Sequence, residues 1–342
     1  MNKLLREDKL SVVADLGLTC CGDVGLSLEL IDVASELGVD AVKFQMLDAD
    51  ELLGDKAVEY TYPTLMKGNV TENMYEMFLG LEMSDHEWHR IRCKCEEVGL
   101  ELIITSHVES AVDRLLSLDL PYNKICTWSV NHFHMISRLA SNGKPLIIDT
   151  GTISNDDLIE LEGFYKTEGG GNVIVFYDFH TADETHMNFR AIESIKNQGF
   201  VVGYTPQGRQ DWLDFMSIGL GVSILEKRLT MSRFRAMNGH WKAHDPQEFK
   251  DWLERVNKCF LALGSSELKP TPDDIDTANW AYKSAYLARD VNAGEIIDRD
   301  SFIFKRPGTG VSSKTIWNRF HGAKFQSDYR AGDLFSLPRV ES

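Results

Sequence analysis

The chain has little positive charge to spare. Against 52 aspartates and glutamates stand 36 lysines and arginines, a formal net charge of −16. Nucleic acid and anionic membrane surfaces are gripped by clustered Lys and Arg that release counterions, so neither is an expected partner. A small anionic substrate stays possible, because one pocket can be positive in an acidic protein. Long apolar runs are missing too: no stretch approaches the ~18 residues of a membrane span. The first ten residues alternate Lys, Arg, Glu and Asp where a signal peptide would have an apolar core. The expectation is a cytoplasmic enzyme or binding protein. Cysteine is sparse and lacks zinc-site spacing. Of the six, Cys20 and Cys21 are adjacent, and Cys93 and Cys95 lie two apart on a predicted helix, where they do not share a face. All six are expected to be reduced thiols, with Cys20 and Cys21 the two that could carry a function.

What is present is a regular alternation. Short, continuously apolar runs at 11–17, 39–46, 100–105, 122–127, 145–150, 172–177, 200–205 and 222–227 read as parallel strands buried on both faces. Amphipathic stretches at 26–37, 86–98, 111–118, 134–142, 155–168, 188–197, 211–220 and 247–263 read as helices between and after them. Ser84-Asp-His-Glu87 and Ser154-Asn-Asp-Asp157 fit capping boxes, and Gly38, Gly99, Gly143 and Gly199 suit the residue after a helix end. Eight β/α units over residues 1–265 match a closed barrel of ~250 residues; an open doubly wound sheet is the rival. The connection at 47–82 is long and follows the second strand, which places it over the catalytic face. Residues 266–276, with two prolines and small polar residues, read as a linker, and 277–342 as a small β-rich domain with runs at 284–288, 302–305 and 334–337. Such a small unit buries little surface alone and is expected to dock elsewhere in an assembly.

In a barrel the chemistry sits at the strand C-termini. There the sequence places Asp15, Lys43, Gln45, Thr105, Lys124, Thr127, Asp149, Thr150, Thr205, Glu226 and Lys227. Lys is rarely buried without a partner. Lys43 and Lys124 among threonine hydroxyls therefore make either a cradle for a phosphate or carboxylate, or structural ion pairs with Asp15 or Glu226. His107, His132, His134 and His180 lie near the same rim; they read either as a metal cluster or as scattered histidines.

These residues carry a resemblance that spans nearly the whole chain. Ala14-Asp-Leu-Gly17, Asp40-Ala-Val-Lys-Phe-Gln45, Lys124-Ile125, Thr150-Gly151, Asn188-Phe-Arg-Ala191, Val202-Gly-Tyr204, Leu225-Glu-Lys227, Lys269-Pro-Thr-Pro272 and Lys305-Arg-Pro-Gly-Thr-Gly310 occur in an order and spacing that is specific together. The chain resembles the sialic acid synthase family, which condenses phosphoenolpyruvate with N-acetylmannosamine or a related sugar. The resemblance implies an α/β fold, a (β/α)8 TIM barrel, followed by a small antifreeze-like (SAF) domain. It implies that Lys43, Gln45, Thr105, Lys124, Thr127 and Thr205 hold phosphoenolpyruvate. It further implies a homodimer with swapped C-terminal domains, in which Arg306 reaches the partner's site.

The departures are as informative. The family holds a divalent metal, Mn or Mg, with two histidines, and those positions are Gln207 and Arg228 here. The acid after Lys-Ile falls at Ser129, the sugar-contacting pair at about Phe179 and His180, and a loop aspartate at His240. The family's Asn-His-Asn-Gly turn is Thr19-Cys-Cys-Gly22, and its glutamate is Asp15. The phosphoenolpyruvate half of the site thus reads as retained and the metal and sugar half as rebuilt. Arg228 could act as a fixed positive charge beside the aldehyde oxygen, and His240 or His180 could move protons. A metal site rebuilt from His107, His132 or His180 is the competing expectation. The expected catalytic set is Asp15, Lys43, Lys124, Arg228 and His240. Gln45, Thr105, Thr127, Asp149, His180, Thr205, Gln207, Glu226 and Arg306 are expected to bind substrate. Two other functions remain open: a Schiff-base aldolase using Lys43 or Lys124 as nucleophile, and a non-catalytic binding protein on the same fold.

Overall fold

Strands buried on both faces need two apolar layers, and the chain supplies them by strict alternation. In the computed structural model, which describes residues 3–6 and 9–336, the strands are β1 (Ser11–Asp15), β2 (Ala41–Met46), β3 (Glu59–Thr64), β4 (Gly68–Asn73), β5 (Glu101–Ser106) and β6 (Asn123–Ile125). They continue with β7 (Leu146–Asp149), β8 (Val173–Tyr177), β9 (Val201–Tyr204), β10 (Ile224–Arg228), β11 (Ser284–Leu287) and β12 (Phe302–Lys305). A closed, parallel barrel forms in the order β1-β10-β9-β8-β7-β6-β5-β2. Each expected strand lies in it, and the open-sheet rival falls away because β1 pairs with both β2 and β10.

Residues facing inward form one apolar cluster: Val13, Ala41, Ile103, Tyr122, Ile147, Ile174, Phe176 and Ile224, with Leu4 beneath them. Their neighbours along each strand, such as Val12, Val42, Phe44, Leu102, Ile104, Val175 and Leu225, belong to a second cluster shared with the surrounding helices. Burial of each such aliphatic side chain contributes about 1.5–3 kcal/mol. The barrel floor is therefore dry, and the polar inward residues are confined to one mouth.

The helices start and stop where their ends can be satisfied. Ser84 and Ser154 close the expected capping boxes. Asp245 does the same for helix Pro246–Leu263, with proline at a position that needs no N–H. The 47–82 connection is more ordered than a loop: short helices Ala49–Leu52 and Met74–Leu79 flank the β3–β4 hairpin. Among the described residues no helix is long and apolar enough to cross a membrane.

The chain divides into two compact units, Met1–Gly264 and Ser265–Ser342. The expected linker at 266–276 is interrupted by helix Pro272–Ala281. The reason is local: Thr271 and Asp274 form a capping box, and Pro272 starts the helix rather than breaking it. In the second unit β11 pairs antiparallel with β12. Its own core joins Ala285, Leu287, Val291, Ile297, Phe302, Ile316, Phe325 and Phe335. Leu334, in the expected run 334–337, bridges Tyr286; Leu337 lies outside the described residues.

One glycine ties the fold to the site. A Cβ on Gly203 would stand 2.5 Å from Phe176 Cδ1. The Phe176 ring in turn lies 4.4 Å below the Lys124 ammonium. Gly203→Ala is expected to lower stability by about 1–3 kcal/mol, read from the urea midpoint. Gly219→Ala, at an exposed helical position where no described residue lies within 4 Å, is the control and should not lower stability, raising it by up to about 1 kcal/mol.

Candidate active site at the barrel mouth

Above the apolar floor the inward positions turn ionic. Register sets Asp15 beside both Lys43 and Arg228, and Thr105 beside both Gln45 and Lys124. The Lys43 ammonium lies 3.2 Å from Asp15 Oδ1 and 3.4 Å from Glu226 Oε1. That of Lys124 lies 2.7 Å from Asp149 Oδ1 and 3.4 Å from Glu226 Oε2. One carboxylate, Glu226, thus bridges two cations, and the lysines converge. Arg228 closes the ring with Nε 3.0 Å and Nη2 2.9 Å from Asp15 Oδ2. Gly17 leaves room for Gln45, whose Cγ would be 2.7 Å from a Cβ there. Thr205 Oγ1 donates to Glu226 Oε1 at 3.3 Å.

Burial taxes every one of these charges, at several kcal/mol per ion, and the partners decide the outcome. For Asp15, burial works to raise the pKa, but Lys43 and Arg228 outweigh it and hold the carboxyl well below the usual range. For Lys43 burial works downward, and Asp15 and Glu226 overcome it, so the pKa is raised. Lys124 is likewise raised, by Asp149 and Glu226 against burial. Asp149 goes the other way. Burial, joined by the like charges of Glu226 and Asp178, outweighs Lys124 and pushes it up to about 6. Both lysines are therefore firmly ammonium at neutral pH. A Schiff base needs a neutral amine, so neither is set up as the nucleophile that the aldolase alternative required.

Among the described residues, two buried polar atoms at this mouth have neither a hydrogen-bond nor an ion-pair partner: Thr105 Oγ1 and His107 Nε2. Buried polar atoms are nearly always bonded. The free Thr105 hydroxyl beside two ammonium groups can donate to an oxygen of a bound anion. His107 has its Nδ1 3.5 Å from Cys126 Sγ; burial, then Lys43, pushes it down to about 3, so it is neutral.

The rim is built by the loops after β6, β7, β8, β9 and β10. Asp178, buried just past β8, accepts from Thr127 Oγ1 and Gln207 Nε2, both at 2.9 Å. His180 Nε2 lies 3.7 Å from the same carboxylate, and its ring packs on Trp128 with centroids 4.7 Å apart. Gly151 permits this: a Cβ there would meet Thr127 Cγ2 at 2.4 Å and His180 at 3.0 Å. Lys242, half-buried in the loop after β10, has no carboxylate within 4.0 Å among the described residues. It lines a cavity of about 560 Å³ with Phe179, His180, Gln207, Arg209 and Trp241.

The structure thus gathers most of the expected residues, and it corrects others. His240 is fully buried, with Nδ1 2.7 Å from Thr230 Oγ1 and Nε2 3.3 Å from Cys21 Sγ. It anchors a loop rather than facing the mouth, and burial pushes its pKa down to about 4. Lys227 points outward, because its neighbours Glu226 and Arg228 point inward. It pairs with Asp214 at 2.5 Å and Asp211 at 3.2 Å in the helix layer. The histidines do not converge: His132 and His134 are exposed, and among the described residues no three His, Cys, Asp or Glu side chains group to hold a metal. Arg306 belongs to the second unit, where its Nε donates to Ala281 O at 2.8 Å and its guanidinium lies 5.5 Å from the Trp280 ring centre. Three residues were missed. Asp178 was legible, being two positions past inward Phe176. Trp128 and Lys242 sit in loops, where no periodicity points.

The two positions where the resembled family has metal-ligating histidines do not fit a divalent ion. Gln207 spends its amide on Asp178, and Arg228 sets a permanent cation against Asp15. A guanidinium has no lone pair to offer and repels a metal.

Comparison with known proteins agrees with this architecture. The NeuB family model matches residues 30–268, and the SAF domain model residues 282–341. The chain is 26% identical over 340 residues to the N,N'-diacetyllegionaminic acid synthase of Legionella pneumophila, covering 97% of this chain and 94% of that one. It is 23% identical over 300 residues to human N-acetylneuraminate-9-phosphate synthase, covering 86% and 82%. Among solved structures, the N-acetylneuraminic acid synthetase of Leptospira borgpetersenii in complex with citrate superposes with a TM-score of 0.68 at 18% identity, over 79% of this chain and 90% of that one.

Removing one cation tests the ionic ring. Lys124→Met takes from Asp149 its ammonium partner and leaves it beside Glu226, which still holds Lys43 at 3.4 Å. It should cost about 3–5 kcal/mol at pH 8. The loss should be smaller at pH 5, where Asp149 takes up a proton and no longer needs the ammonium. Denaturation at the two pH values reads the difference.

Proposed function

Because the chain belongs to the NeuB family, we propose that it is a sugar-acid synthase that condenses phosphoenolpyruvate with an aldehyde sugar. The products are a 3-deoxy-2-ulosonic acid and inorganic phosphate. The observation that carries this reading is the convergence of Lys43 and Lys124 on Glu226 beside the unpartnered Thr105 hydroxyl. Ammonium and hydroxyl groups suit the phosphate and carboxylate of a three-carbon acid.

The chemistry balances without a redox partner. The enol π pair of phosphoenolpyruvate forms a bond from C3 to the aldehyde carbon, and the carbonyl π pair moves to oxygen, which takes a proton. Water adds at C2 and gives up a proton. The C2–O bond to phosphate then breaks, leaving a ketone and inorganic phosphate. Lys43, Lys124, Gln45, Thr105, Thr127 and Thr205 hold the acid. Asp178, Gln207 and His180 face the sugar.

Four carboxylates, Asp15, Asp149, Asp178 and Glu226, stand among four cations, Lys43, Lys124, Arg228 and Lys242. The site is close to neutral, so an arriving anion shifts its proton balance. Asp149 lies at about 6 and Lys242 at about 7. A nearby negative charge raises both. Calorimetry of phosphoenolpyruvate binding at pH 7.5, in buffers of different ionisation enthalpy, should show net proton uptake.

A phosphate-release assay with phosphoenolpyruvate and a panel of N-acetylated aldehyde sugars tests the reaction. Turnover with at least one sugar is expected, and Lys43→Met should reduce kcat/KM by about 10³-fold. Phosphoenolpyruvate binding with no turnover on any sugar would instead favour a non-catalytic protein on this fold, a reading motivated by Gln207 and Arg228. In a domain-swapped dimer Arg306 of one protomer would serve the other's site. Mixed dimers of inactive Arg306→Ala and Lys43→Met chains should then regain activity in one of their two sites.

A further inference from the structure

Lys242 is the unspent cation of the mouth. Lys43, Lys124 and Arg228 each hold a carboxylate within 3.5 Å; Lys242 holds none among the described residues, though it is half-buried. Its strongest electrostatic neighbour is another cation, Arg228, and burial also disfavours its charge; together they push it down to about 7. Asp15 and Asp178 act in the opposite direction, and Lys43 adds to the repulsion. Of the other charged groups around its cavity, Arg209 is held by Glu248 at 2.8 Å, and His180 lies on the Asp178 side.

The backbone keeps this unfavourable arrangement in place. Lys242 ends the short 3-10 turn His240–Lys242. On one side, the buried His240 ring is bonded to Thr230. On the other, His244 N donates to Arg228 O and Thr230 N donates to His244 O, each at 2.9 Å. Arg209 reaches across to Ala243 O. The loop is thus tied to the end of β10 on either side of Lys242. A cation held at such a cost, in a cavity lined by Gln207 and His180, fits an oxygen that becomes negative during reaction.

We propose that Lys242 is a catalytic residue which, together with Arg228, grips the aldehyde oxygen of the acceptor and does there what a divalent metal would do. This rests on the synthase reading above. As the new C–C bond forms and the carbonyl π pair moves to oxygen, the two cations stabilise the alkoxide. Lys242 gives it a proton and becomes an amine, then regains one from the water that adds at C2. His240 is a positioning residue that holds the turn.

The test uses the full chain and three readouts: phosphoenolpyruvate affinity without sugar, phosphate release with a sugar the wild type accepts, and the pH profile of kcat. Lys242→Met should lose no more than about tenfold in phosphoenolpyruvate affinity, while kcat falls about 10²–10⁴-fold. Lys242→Arg, which keeps a charge that does not titrate, should recover part of kcat and lose the wild type's alkaline limb. Melting temperatures confirm that both variants fold; Lys242→Met should melt no lower than wild type, because it removes a repelled charge. Wild-type turnover should persist in a strong chelator. Active wild type with a Lys242→Met kcat within threefold overturns the inference alone, as does strict dependence on an added divalent cation. Wild type that releases no phosphate with any sugar overturns the synthase reading and this inference with it.

Discussion

Everything at the mouth depends on Glu226 standing between two ammonium groups inside a closed cylinder. Two lysines buried to within 5% of full exclusion would repel each other and shed their protons if nothing answered them. Glu226 answers both at 3.4 Å, while Asp15 and Asp149 each take one. The result is a pair of permanently charged cations, fixed in direction and shielded from water, with the Thr105 hydroxyl beside them lacking a partner among the described residues.

The apolar floor gives this ring its strength. Val13, Ile103, Ile147, Ile174 and Ile224, with Leu4 and Tyr122, keep water from one side. Charges above such a layer interact more strongly than they would in solvent. Alternation along β10 explains why Lys227, one residue from Glu226, has no part in the site. It faces the helices, where Asp214 and the Trp252 ring hold it in a structural pair.

Two pairings set the rest of the mouth. With Arg228 at the end of β10, the carboxylate of Asp15 is committed to a guanidinium. Gln207 in turn is committed to Asp178. The pocket beside them is lined by Lys242, Arg209, two glutamine amides and aromatic rings. His240, which the sequence placed among the proton carriers, serves instead as the peg of the loop that presents Lys242.

Much of this was legible before any coordinates. Continuous apolar runs separated by capped helices specify parallel strands covered on both faces, and eight such units leave a closed barrel as the economical arrangement. Local chemistry sets the helix ends, since Ser84 and Ser154 satisfy free N–H groups within their own turn. Strand-end polar residues then mark the mouth, and Asp178 could have been added by counting two from Phe176. Helix Pro272–Ala281, which begins inside the expected linker, was not foreseen, because proline both breaks and begins helices and the Thr271–Asp274 pair decides which. Whether two cations meet or part, whether a histidine faces a cavity or a wall, and which lysine is left without a counterion are set by distances between residues far apart in the chain. Closure of the barrel sets those distances, and no local pattern encodes them. That is why Lys43 and Lys124 could be named from the sequence, while Lys242 could be found only from the fold.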